Sequence, residues 1–99
     1  MKPTTVKHSK FKLLEVLYDD GDYTIAWGTW VGAEKRLAER WNGDTDSDPG
    51  FPRQGNHPTW MIVTPSLTPS RLKSLLGLPS AKDAAILKVL SELSGKGRL

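Results

Sequence analysis

The run from Phe11 to Trp41 constrains the fold more than any other part of this chain, because it reads as three strands joined by two tight reversals. Asp20-Gly21, set between Asp19 and Asp22, is a strong hairpin signal: such a turn needs positive φ, which Asp and Gly tolerate best. The strand before it spans about Lys10 to Tyr18, with Leu13 and Leu17 on one face and Leu14 and Val16 on the other, so it calls for cover on both sides or pairing with another chain. The strand after it, Asp22 to Val31, alternates Tyr23, Ile25 and Trp27 on one face with the small Thr24, Ala26 and Gly28 on the other. Glu34 to Trp41 is made of good helix formers, with Ala33, Leu37 and Trp41 at helical spacing. A three-residue reversal over Gly32, Ala33 and Glu34 instead sets Leu37 opposite Thr29 and Trp41 opposite Ile25. That register places both on the aromatic face and closes a meander, so the segment is read as a strand.

Asn42 to Pro58 follows as a long loop of turn residues, and loops of this length are often functional. Phe51 is its one large apolar residue and is expected to tuck back onto the sheet. Trp60 to Val63 is apolar throughout, as in a strand covered on both faces, and ends at Pro65. Two helices complete the pattern. Thr68 reads as an N-cap with Pro69 at the first helical position, Leu67 stapling onto Leu72, and Gly77 and Pro79 as the stop. Ser80 and Asp83 then open a second helix whose stripe is Ile86, Leu87, Val89, Leu90 and Leu93, ending near Gly95. The expected architecture is α+β: an antiparallel sheet of three or four strands, a meander plus one strand, with the two C-terminal helices packed on one face. Residues 1–9 form a flexible basic arm, 10–95 a single domain, and 96–99 a frayed tail.

Ninety-nine residues suffice for one modest core. The absence of cysteine removes any disulfide framework or thiolate metal site and fits a cytoplasmic setting. No stretch approaches the roughly 18 apolar residues of a membrane span, so no membrane association is expected. The formal charge of +3 is strongly segregated: acids concentrate from Glu15 to Asp48 and bases lie mostly outside that range. The two sets either neutralise each other in the fold or present a basic face to an anionic partner.

Candidate chemistry is sparse. Asp44, Asp46 and Asp48 alternate like the first ligands of a calcium loop, but Pro49 stands where that loop needs glycine and Gly55 where it needs a bidentate glutamate. His8 and His57 have no spaced partner for a metal or proton relay. No nucleophile elbow or phosphate loop is present, so the pattern predicts no cofactor, no metal and no catalytic residue. Trp27 belongs to the core by its face, whereas Trp30 falls on the opposite one, either packed there or exposed at a contact site. Trp30, Arg40, Phe51, Arg53 and His57 are the candidate binding residues. Lys2, Lys7, Lys10 and Lys12 are the alternative set, for nucleic acid held by basic residues and exposed aromatics.

Tyr18-Asp19-Asp20-Gly21, Trp27-Gly28-Thr29-Trp30, Arg40-Trp41-Asn42-Gly43, Gly50-Phe51-Pro52 and Pro58-Thr59-Trp60, in that order, resemble a pattern in small uncharacterised bacterial proteins, some carried on mobile elements of the integron-cassette kind. The resemblance covers about Val16 to Leu78. It implies a compact intracellular domain in which Arg-Trp-Asn-Gly is a strand end, and it transfers no activity. The role expected first is a small non-enzymatic binding or regulatory protein, associating with a second copy or another protein through its sheet or long loop. Nucleic-acid binding is the alternative. A small-ligand pocket lined by Trp27, Trp41, Phe51 and Trp60, or a minor enzyme, is third.

Overall fold

A computed structural model describes residues 1–95; the tail expected to fray, 96–99, lies outside the described residues. Three long strands form the expected meander: β1 (Phe11–Asp19), β2 (Tyr23–Trp30) and β3 (Glu34–Trp41). A small hairpin of β4 (Arg53–Gln54) and β5 (His57–Pro58) interrupts the long loop, and β6 (Met61–Val63) returns to pair with β3. The main sheet is antiparallel with order β1-β2-β3-β6. Two helices follow, α1 (Thr68–Leu75) and α2 (Asp83–Gly95). The architecture is therefore α+β, as the alternation and the caps predict.

The Glu34 to Trp41 segment is a strand because tertiary burial overrides its helical propensity. As the third strand of four it is covered on both faces, and Leu37, Ala38, Glu39 and Arg40 are all buried. The reversal that feeds it is one residue earlier than expected. Trp30 pairs with Glu34, leaving Val31, Gly32 and Ala33 as the loop, with Val31 (φ 51) and Gly32 (φ 88) in the left-handed region. Leu37 consequently faces Trp27 and Trp41 faces Tyr23. A slip of two residues preserves the faces, so the parity of the expected register stands while its pairs move.

One sheet face carries the main core. Leu17, Ile25, Trp27 and Leu37 pack there against Leu72, Leu75, Ile86, Val89 and Leu90 from the two helices. Leu13 does not join Leu17, contrary to the simple alternation, because register shifts between Leu13 and Glu15 and between Val16 and Tyr18 turn the strand over. Leu13 instead lies with Val6, Phe11, Ala26, Ala38 and Trp60 on the second face. A Cβ at Gly28 would meet the Lys12 carbonyl oxygen at 2.3 Å and the Phe11 ring at 2.5 Å, so only glycine admits both this close to β2.

Residues 1–9, read from sequence as a flexible arm, touch the sheet through two buried side chains. A 3-10 turn over Pro3–Thr5 lays the segment across the second face, with Pro3 and Val6 buried. Pro3 and Val6 are the residues it buries, because the apolar sheet face beside it gives them somewhere to go out of water. The arm thus covers part of the second face beside β1, while Leu14 of β1 remains half exposed.

At the helices two details differ from the expected caps. Thr68 is already helical, and its hydroxyl donates to the Thr64 carbonyl at 2.9 Å, because a 3-10 turn over Pro65–Leu67 runs directly into α1. Leu67 is exposed rather than stapled. The Asp83 carboxylate accepts from the Gly77 amide at 3.2 Å, which ties the start of α2 to the end of α1.

Candidate functional site

Beyond the footprint of the helices, the helix-side face of the sheet continues as a row of aromatic residues. Tyr23 and Trp41 are cross-strand partners, their rings 4.6 Å apart and edge-on. Trp41 also exchanges backbone hydrogen bonds with Phe51, its N–H donating to the Phe51 carbonyl at 2.6 Å and its carbonyl accepting at 3.1 Å. Phe51 therefore takes the edge position beside β3 that β6 does not reach, and directly opposed residues share a face. The backbone of Phe51 returns to the sheet as expected; its side chain does not. Trp41 is 55% exposed and Phe51 61% exposed. Trp41, expected in the core, is thus the surface aromatic. Its place at the strand end, next to Asn42-Gly43, is compatible with either burial or exposure and does not decide between them.

Beside this row lies a half-buried ion pair, with Glu39 buried and Arg71 partly exposed. Glu39 is 5% exposed and accepts from the Tyr23 hydroxyl at 2.5 Å and from Arg71 Nε and Nη2 at 2.6 and 2.9 Å. Burial pushes the Glu39 carboxyl up, but the hydrogen bonds from Arg71 and Tyr23 and the Arg71 charge outweigh it and leave the group below its usual range. Burial, followed by the hydrogen bond to Glu39, pushes the Tyr23 phenol up to about 12. A phenol whose folded value exceeds its unfolded value of about 10 stabilises the fold fully below that pH and loses the contribution as pH rises through 12. Urea midpoints should therefore fall between pH 10 and 12, and Tyr23→Phe should show a shallower fall over that window. Parallel profiles for the two proteins would mean that Tyr23 is not linked to folding.

The rim is acidic. The Asn42 side-chain amide donates to Asp19 at 3.2 Å and to the Gly21 carbonyl at 3.0 Å, and its oxygen accepts from Thr24 at 2.7 Å. This buried residue clips the β1–β2 turn to the acidic loop, so Asp22 stands beside Asp44 and Asp48. Those three acids, with Trp41, Phe51 and Arg53, line an open groove of about 640 Å³. Asp48 shapes the backbone around it, and Asp20, outside the groove, shapes the neighbouring β1–β2 turn. Asp48 accepts from the amides of Asp44 at 3.0 Å and Gly50 at 2.9 Å, and these bonds hold its carboxyl below the usual range. Asp20 is lowered first by the Tyr23 amide and then by the Tyr18 hydroxyl. Among the described residues no three His, Asp or Glu side chains converge as a metal set.

Of the candidate binding residues, Phe51 and Arg53 line this groove. His57 is exposed on the β4–β5 hairpin, paired with Gln54, and is not part of the groove. Trp30 lies half-buried on the opposite face, packed on the Phe11–Trp60 cluster, with the His8 ring 5.7 Å away. Arg40 is wholly buried and is no contact residue. Its guanidinium donates to the carbonyls of Thr59 and Pro49 and lies 5.9 Å above the Trp60 ring. Burial lowers its pKa, its Nε has no partner, and no carboxylate pairs with it among the described residues. Lys2, Lys7, Lys10 and Lys12 are all exposed. The pocket expected among Trp27, Trp41, Phe51 and Trp60 does not form, because Trp27 and Trp60 belong to cores on opposite sides of the sheet.

No protein-family model matches the chain, and no curated protein or solved structure matches it. No helix among the described residues is long and apolar enough to cross a membrane.

Proposed function

We propose that this is a non-enzymatic binding protein of the cytoplasm that holds a cationic segment of another protein on its Trp41–Phe51 face. The observation that carries the reading is the pair of large exposed rings bordered by Asp22, Asp44 and Asp48. Exposed aromatics favour protein contacts, and an indole or phenyl face beside carboxylates suits a lysine or arginine side chain through cation–π and ionic attraction together. The backbone at this site is braced by the Trp41–Phe51 bridge and the Asp48 turn, so little ordering would be required on binding. Self-association through the same face would set acidic rim against acidic rim, which favours a different protein as the partner.

A labelled oligolysine or oligoarginine peptide, followed by anisotropy at low ionic strength, tests the proposal. Binding should weaken with salt, fall at least about fivefold in Trp41→Ala and Phe51→Ala, and fall similarly in Asp22→Asn with Asp44→Asn. An unchanged affinity in Trp41→Ala, or no binding at all, would overturn it. Nucleic acid is the second reading, favoured by the His8–Trp30 contact beside exposed Lys7, Lys10 and Lys12. In the same assay it would appear as binding of a single-stranded oligonucleotide, with a salt slope that flattens when those lysines are neutralised.

A further inference from the structure

β1 is the outer strand of the sheet and has a full partner, β2, on one side only. At its far end the open side is taken: Tyr18 bridges to Ala81, and the Lys82 amide donates to the Leu17 carbonyl at 2.8 Å. From Phe11 to Val16 no backbone group bonds to any segment other than β2 among the described residues. The amides and carbonyls that this stretch turns away from β2 form a free edge, which is a template for adding a strand. Leu14, in its middle, is 50% exposed. Lys12 and Glu15, on either side of it, are exposed and have no ion-pair partner among the described residues.

The register shift at Leu14 decides what fits this edge. Lys12 is opposite Thr29 and Glu15 is opposite Trp27, and those two lie on one face of β2. Lys12 and Glu15 therefore share the helix-side face although they are three positions apart. By the same reasoning Phe11, opposite Trp30, and Val16, opposite Ala26, share the second face. In a regular strand residues an odd number apart lie on opposite faces, so an ordinary incoming strand falls out of step with this edge at the bulge. A second copy of β1 carries the same bulge at the same place.

We infer that β1 pairs antiparallel with β1 of a second copy, about a two-fold axis between Leu13 and Leu14. Phe11 then stands opposite the partner's Val16, Lys12 opposite the partner's Glu15 and Leu13 opposite the partner's Leu14. The Phe11–Val16 and Lys12–Glu15 pairs each share a face, as antiparallel pairing requires, and symmetry makes each contact twice. A slip of one residue would oppose side chains of different faces, Lys12 with the partner's Val16 or Phe11 with the partner's Glu15. The overlap also ends short of the Ala81–Lys82 bridge. The exposed ion pairs fix the register more than they add affinity. Neither Trp41 nor Phe51 takes part, so the face proposed for a cationic segment stays open in the dimer.

The test is sedimentation of the whole chain at low ionic strength, up to about 500 μM. A reversible monomer–dimer equilibrium is expected, with a dissociation constant on the order of 100 μM or below for so small a contact. Lys12→Glu and Glu15→Lys, both at exposed positions, each set like charges against one another twice and should raise that constant at least about fivefold. An equimolar mixture of the two variants restores opposite charges at both contacts and should associate at least as well as the wild type. Trp41→Ala should dimerise unchanged. The inference is overturned if the wild type stays monomeric throughout, if the single variants dimerise as the wild type does, if their mixture associates no better than either alone, or if Trp41→Ala abolishes the dimer.

Discussion

Trp27→Ala and Trp60→Ala are each expected to cost about 3–5 kcal/mol, a large part of the roughly 5–15 kcal/mol that holds a domain of this kind together. Both rings are 5% exposed, one in each of the two cores, so each truncation removes a large buried side chain from a packed cluster. Trp41→Ala should cost only about 0.5–1.5 kcal/mol, chiefly its edge-on contact with Tyr23, because more than half of the ring is in water. Denaturant melts read these differences directly, and the peptide assay reads the converse: Trp41→Ala stays folded and loses binding. A Trp41→Ala protein destabilised as much as Trp27→Ala would show that the aromatic row is core and would remove the proposed contact face.

Arg40→Ala is expected to be as damaging, at about 3–5 kcal/mol, for a different reason. The guanidinium fills space beneath Trp60 and satisfies the carbonyls of Pro49 and Thr59, which lie on the two arms of the long loop. Truncation leaves both carbonyls unpaired and opens a void, and it releases the loop that carries Phe51. Arg40→Met should cost less, since it keeps most of the volume and removes the need to bury a charge. Gly50 is part of the same construction: a Cβ there would stand 2.8 Å from Arg40 Nη2 and closer still to the Trp41 carbonyl. Urea melts of the two Arg40 variants test the argument. An Arg40→Ala protein within about 1 kcal/mol of the wild type would contradict it.

These residues also separate what a linear reading can reach from what it cannot. Strand positions, the Asp20-Gly21 turn, the helix stop at Gly77 and the shared face of Tyr23, Ile25 and Trp27 depend on neighbours close in the chain, and periodicity or turn chemistry exposes them. The burial of Arg40 and the exposure of Trp41 depend on distant segments. An arginine at a strand end followed by turn residues reads as a surface cation. Only the return of Pro49 and Thr59 supplies the acceptors that let it be buried. Trp41 is on the core face by parity, but whether that face is covered at its rung is set by how far α1 and α2 extend over the sheet, which no local pattern encodes. Likewise the sequence of residues 1–9 shows its lysines plainly, while the role of Pro3 and Val6 as cover appears only once the second sheet face is seen to need it. Sequence by itself determined the α+β class, the meander and the faces of β2 and β3, because those follow from local stereochemistry, whereas the register shifts that turn β1 over do not. Tertiary structure alone decided which large side chains lie in water and which are buried, because burial is a property of the assembled layers and not of a residue or its neighbours in the chain.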